Sequence, residues 1–217
     1  MSGRAGGDAT RQRILVESSI LFTRRGFHGT GTLDIAAAVG IRQPSVFHNF
    51  ENKQAILAAL LDAELDPLIE RLRRAIGLDA PWSVRLYAHL MADVLAVLEI
   101  PFDVRGLYND DVLAEAEFAP QRTKREDMHK LLRRLVRGGI KDGDLAGDVS
   151  FLQQAITGLM IETMWVRGAQ PAPHLAPRAE ELADFVLRGA LVDVGRLDEV
   201  RRHATTLVRR ELNGPPN

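Results

Sequence analysis

The chain of 217 residues has no cysteine, so disulfides, thiolate catalysis and thiolate metal sites are all excluded. A strong charge of one sign is also missing. The formal net charge of −1 rules out a uniformly basic nucleic-acid coat but leaves room for a local basic patch. The most apolar windows, "ILAALL" and "LYAHLMADVLAVLEI", are short or interrupted by His89, Asp93 and Glu99. No span of about 20 apolar residues exists to cross a bilayer, and no membrane partner is expected. The opening "MSGRAGGDATRQR" lacks the apolar stretch of a signal peptide. A soluble cytoplasmic protein is the expectation.

Motifs of catalysis are missing too. Gly-x-Ser-x-Gly, the P-loop and Gly-x-Gly-x-x-Gly do not occur. "DGDLAGD" from Asp142 hints at a calcium loop, but Ala146 and Gln153 occupy its fifth and twelfth positions, so it reads as a turn. His89 and Asp93 share a helical face and read as a surface pair. No catalytic residue, metal or cofactor is therefore expected, and an enzyme is the rival class.

What is present is helical period. Hydrophobic residues make up 46% of the chain, enough for one buried body or a small module on a larger one. Alternating strand patterns and internal repeats are absent, which makes the fold class all-α. A first helix should start at Asp8 or Thr10 and end in two arginines before Gly26. Short helices follow at about Thr32 to Val39 and Gln43 to Phe50. Asn52 caps a longer one, with Ile56, Leu57, Leu60, Leu61 and Leu65 as its buried stripe. Further helices run from Trp82 to a stop at Pro101, and from about Pro120 to Gly138-Gly139. Three more are expected over Val149 to Val166, Arg178 to Leu191 and Leu197 to Leu212. Residues 1–53 hold seven Lys or Arg against four Asp or Glu, while the remainder is acidic, so a basic head sits on an acidic body.

The stretch "IAAAVGIRQPSVFHNFENK" breaks a small-residue helix at Gly40 and restarts it two residues later. Two helices joined by a tight glycine turn, the second one short, make a helix-turn-helix. Ala36, Ala37 and Ala38 allow close approach, and Ile41 plugs the angle. Val46 and Phe50, four apart, face inward against Ile35 and Phe22. Gln43, Ser45, Phe47, His48 and Asn49 then point outward, and Pro44 costs no helical hydrogen bond in the first turn. Such residues suit a major groove: Gln43 for an adenine edge, Ser45 for base or phosphate, Phe47 for a thymine methyl. Lys53, on the next helix, is placed to meet a phosphate. Thr30, Thr32 and Arg42 complete the candidate DNA-binding set.

Residues 8–55 resemble the DNA-binding head of tetracycline-repressor-type (TetR-family) regulators. The resemblance rests on Gly26-Phe27, Thr30, Asp34-Ile35-Ala36, Gly40-Ile41, Phe47, Phe50 and Lys53. Two positions depart from the family pattern. Gly31 replaces the usual Ser or Thr cap, a loss of about a few tenths of a kcal/mol. Arg42 replaces a frequent Ser and adds a cation near the DNA backbone.

The resemblance implies a head at 1–52 and a ligand-binding and dimerisation body at 53–217. The function it implies is a dimeric, ligand-released repressor on a near-palindromic operator. "LVRGGIKDGDLAGDVSFLQQAITGLM" is similar to the family's penultimate stretch. Helices 149–166 and 178–191 would pair with a second copy through Phe151, Ala155, Gly158, Leu159, Leu182, Phe185, Val186 and Gly189. For an unknown small-molecule effector, the candidate lining is Tyr87, Met91, Arg105, Tyr108, Met128, His129, Glu162 and Trp165. The last helix, 197–212, lies beyond the usual family end. The alternative class is a helical adaptor or enzyme that keeps the head only as packing.

Overall fold

The computed structural model describes residues 2–212. Among them the backbone forms ten α-helices and no strand. They are α1 (Ser2–Arg25), α2 (Thr32–Val39), α3 (Gln43–Asn49), α4 (Lys53–Gly77) and α5 (Trp82–Glu99). After these come α6 (Asp110–Leu113), α7 (Ala119–Lys141), α8 (Val149–Arg167), α9 (Arg178–Ala190) and α10 (Leu197–Leu207). A π-helical turn, Val208–Leu212, closes the described chain. Loop 142–148 carries an isolated antiparallel bridge, Leu145 to Leu191.

Three helix ends differ from expectation, that of α10 among them, since it stops at Leu207 before the π-helical turn. α1 runs through Asp8 and Thr10, so both are interior residues instead of caps. α7 continues past Gly138 and Gly139 to Lys141. These glycines permit contact instead of ending the helix: a Cβ on Gly138 would lie 2.5 Å from the Trp82 indole, and one on Gly139 would lie 2.5 Å from Leu145. The start of α4 is as expected, with the Ala55 N–H donating to Asn52 Oδ1 at 2.7 Å.

The chain divides into two compact units. The first comprises Met1–Leu65, Ile100–Thr123 and Gly168–Pro171; the second comprises Asp66–Glu99, Lys124–Arg167 and Ala172–Asn217. A division at residue 52 misses this arrangement. The first unit reaches along α4 because Ile56, Leu57, Leu60, Leu61 and Leu65 are buried. It takes in residues 100–123 because they are joined to α1 and its turn. The buried Asp103 N–H donates to Ser19 Oγ at 2.9 Å. Gly106 lies so close to the Thr23 backbone that a Cβ would sit 2.6 Å away. The Phe118 ring meets the Phe27 ring edge-on at 5.9 Å.

The second unit has an aliphatic core drawn from α4, α5, α7, α8, α9 and α10. α10 contributes Leu197, Val200 and Ala204, spaced three and four apart and all buried, so an amphipathic stripe docks it. Polar ties add direction. The Tyr87 hydroxyl donates to Asp184 at 2.7 Å, and Arg201 donates to the same carboxylate through Nε and Nη2 at 3.0 and 2.5 Å. Asp144 accepts from the Ser83 N–H at 2.7 Å and from Arg196 at 2.8 Å, fixing loop 142–148.

His89 and Asp93 are not a surface pair. Both are buried, and Asp93 accepts from Arg71 Nη2 at 2.6 Å, so it serves a buried ion pair. Burial pushes the His89 imidazole down to about 4, with Asp93 opposing and Arg71 adding to the effect. The unfolded chain takes up a proton near pH 6.5 and the folded chain only near 4. Stability is therefore complete above that window and declines as pH falls through it, by about 3 kcal/mol. Denaturant titrations across the window should show this decline, and His89→Leu should flatten it. An identical pH profile in the variant contradicts the assignment.

Candidate nucleic-acid interface

The geometry of the head starts at its two turns. Gly40 adopts φ 73° and ψ 35°, a left-handed conformation open to glycine at little cost. Its N–H donates to Ala37 O at 3.2 Å, and the Ile41 N–H donates to Ala36 O at 3.0 Å. This paired pattern caps α2 and sends the chain into α3. At the other end of α2, where the family's hydroxyl cap is missing, the Gly31 N–H donates to Asp34 Oδ2 at 2.8 Å. Arg25 pairs with the same carboxylate group at 3.2 Å.

The inner sides of these helices are buried: Ile35, Ala36 and Val39 on α2, Val46 on α3, and Phe50 beyond it. Ala37 and Ala38 are exposed, so Ala36 alone of the three alanines allows the close packing. The outer side of α3 consequently presents Arg42, Pro44, Ser45, Phe47 and His48, all exposed, with Phe47 at 48%. Leu33, 67% exposed on α2, is an outward residue that the sequence reading overlooked. Thr32 and Gln43 are half-buried and held together, since Gln43 Nε2 donates to Thr32 Oγ1 at 2.8 Å. Asn49 turns back along its own helix, donating from Nδ2 to Ser45 O at 2.8 Å.

Two residues expected at the DNA are bonded within the head. Thr30 is buried, and its hydroxyl donates to Gly26 O at 2.9 Å, which locks the turn between α1 and α2. Lys53 Nζ donates to Phe27 O at 2.7 Å and Thr30 O at 2.9 Å, and lies 4.3 Å from the centre of the Phe27 ring. Burial lowers its affinity for a proton, with Glu115 working the other way. Lys53 is thus tied to the turn between α1 and α2.

The expected effector lining is not gathered on one wall. Arg105 and Tyr108 belong to the first unit, where Arg105 grips Asp103 at 2.7 and 2.9 Å and the Tyr108 hydroxyl donates to Glu64. The others belong to the second unit. Tyr87 is engaged by Asp184, Met91 is buried near Thr205, and Met128 packs partly buried on the core. Trp165 is 55% exposed. Glu162 borders a groove of about 230 Å³ shared with Leu98, Leu159, Val166, Leu182 and Phe185. His129 Nε2 is buried without a hydrogen-bond partner, and so is Nδ1 of His89. Buried polar atoms are rarely left so, which makes these two, with Ser83 Oγ of the same unit, candidates for a ligand's hydrogen bond. His89 was overlooked as such because its spacing to Asp93 suggested a solvated pair.

The expected pairing face on α8 and α9 is mostly exposed. Phe151 and Phe185 are 67% and 66% exposed, Ala155, Gly158 and Gly189 are exposed, and Leu159 and Leu182 are half-buried. Val186 differs: it is buried in its own core. Ile161, Trp165, Val166, Val192 and Val194 are further exposed apolar side chains, which moves Trp165 from the pocket to this outer surface.

A rigid helix-turn-helix with an outward-facing second helix is the architecture of a DNA-binding regulator. Residues 14–60 match the family model described as bacterial regulatory proteins, tetR family. The helix-turn-helix head is therefore of the TetR type. The chain is 25% identical over 170 residues to the transcriptional repressor KstR2 of Rhodococcus jostii, covering 76% of this chain and 79% of that one. The crystal structure of Mycobacterium smegmatis AmtR superposes with a TM-score of 0.73 at 28% identity, covering 93% of this chain and 95% of that one. The fold is shared, with a TM-score of 0.62 at 19% identity, by AibR, solved in complex with isovaleryl coenzyme A and operator DNA. That match covers 82% of this chain and 96% of that one.

Replacing Lys53 by Met keeps the aliphatic stem and removes the ammonium. We expect a loss of about 1–2 kcal/mol in denaturant unfolding, with the salt dependence of DNA affinity unchanged. A salt slope reduced by about one, at wild-type stability, would restore the phosphate assignment.

Proposed function

We propose that the chain is a ligand-responsive repressor that binds a near-palindromic operator as a homodimer and is released by a small-molecule effector. The observation that carries the reading is the outward set Arg42, Pro44, Ser45, Phe47 and His48 on a helix whose other side is buried. The first unit supplies the DNA-binding head and the second supplies dimerisation. A second copy covering Phe151, Phe185 and their neighbours would remove a large apolar surface from water, which supports an isologous four-helix contact. Such a pairing sets two α3 helices about 34–36 Å apart, one turn of DNA.

The name of the KstR2 relative supports repression. The AibR complex, with an acyl-coenzyme A and operator DNA on one protein, supports effector control. Within the second unit, His89 Nδ1 and His129 Nε2 are the proposed anchors for the effector's polar group. An effector acts only as far as it binds the operator-competent and released states unequally. The relatives are regulators, which supports a non-catalytic role. Among the described residues no helix is long and apolar enough to cross a membrane, consistent with a cytoplasmic site of action.

The test uses a duplex selected by the wild-type chain from a randomised pool. Phe47→Ala and Arg42→Ala should each weaken binding by about tenfold, chiefly for the selected sequence. Phe151→Glu combined with Phe185→Glu should give a monomer by light scattering and a loss of about a hundredfold or more. Wild-type affinity in the α3 variants, or a dimer in the double variant, overturns the corresponding half of the reading.

A further inference from the structure

Every helix ends with carbonyl groups that its own backbone does not satisfy. In α2, the Gly40 and Ile41 amides take the carbonyls of Ala37 and Ala36. In α3, Phe50 N–H takes Val46 O and the Asn49 side chain takes Ser45 O. The carbonyls of Val39 and Asn49, the last residue of each helix, are among those left over. Two arginines of α1 meet them. Arg13 Nη2 donates to Val39 O, and Arg11 Nη1 donates to Asn49 O at 2.9 Å. The Arg11 guanidinium also lies 4.0 Å from the centre of the Phe50 ring.

We infer that Arg11 and Arg13 are positioning residues for sequence-specific DNA recognition, each capping the C-terminal end of one helix of the helix-turn-helix. Both are exposed arginines of a basic head, where phosphate contact is the ordinary expectation. Their donors are instead directed at main-chain oxygens of the reading element. A cation at a helix C-terminus offsets the partial negative charge there. The planar guanidinium over Phe50 further fixes the side of α3 from which Arg42, Ser45 and Phe47 project. The inference rests on the DNA-binding role and adds to it how the orientation of α3 is held.

The two roles separate by titration. Arg11→Gln and Arg13→Gln are compared with wild type on the duplex selected above and on a scrambled duplex of equal composition, at several salt concentrations. Positioning predicts a loss of about five- to tenfold on the selected duplex alone, with the salt slope on the scrambled duplex unchanged. Arg11→Lys keeps the charge but lacks the planar group, and should lose about threefold of the same sequence preference. It carries the test if a glutamine variant melts early. A uniform loss on both duplexes with a slope lower by about one overturns the inference, because that is the signature of a phosphate contact. Undiminished preference in the Lys variant overturns it as well. Selection of a duplex by the wild-type chain tests the DNA-binding role separately.

Discussion

A helix of seven residues cannot persist alone in water, because nucleation is unfavourable and two turns return few hydrogen bonds. α3 therefore exists in a defined direction only because its surroundings hold it. Burial of Val46 and Phe50 contributes roughly 1.5–3 kcal/mol each and fixes which side faces in. The left-handed Gly40 sets the angle of entry, and the buried Thr30 and clamped Lys53 stiffen the frame behind it. What faces out follows from what is held in.

The same logic explains why several cations of a DNA-binding head are bonded to its own backbone. Main-chain oxygens at turns and helix ends need partners, and a long basic side chain reaches them at little steric cost. Lys53, Arg11 and Arg13 all do this, so part of the basic surplus of the head is structural. Arg42 has no such tie among the described residues. In the second unit, polar ties also replace bulk: the shared Asp184 carboxylate draws Tyr87 and Arg201 together and holds α10 to α5 and α9.

Much of this was legible from residue order. Apolar spacing located every long helix, though not the start of α1 or the ends of α7 and α10, and the Gly40-Ile41 pair with Val46 and Phe50 specified the turn and its buried side. The errors share a cause. Thr30, Lys53 and His89 were judged by residue type, as surface hydroxyl, surface ammonium and solvated imidazole, but each one's role depends on atoms distant in sequence. The partners of Lys53 are carbonyls more than twenty residues earlier. The joining of residues 100–123 to α1 rests on Ser19, Thr23 and Phe27, contacts that leave no periodic trace. Trp165 was misplaced because helical spacing gives a face but not what covers it.

The most direct test places a photo-crosslinking phenylalanine analogue at position 47 and irradiates the complex with the selected duplex. The account predicts covalent adducts to bases of each half-site, mapped to the major groove, while the same group at position 30 yields none. Adducts from position 47 that form only within the protein, or no difference between the two positions, would contradict the claim that α3 presents its outer face to DNA.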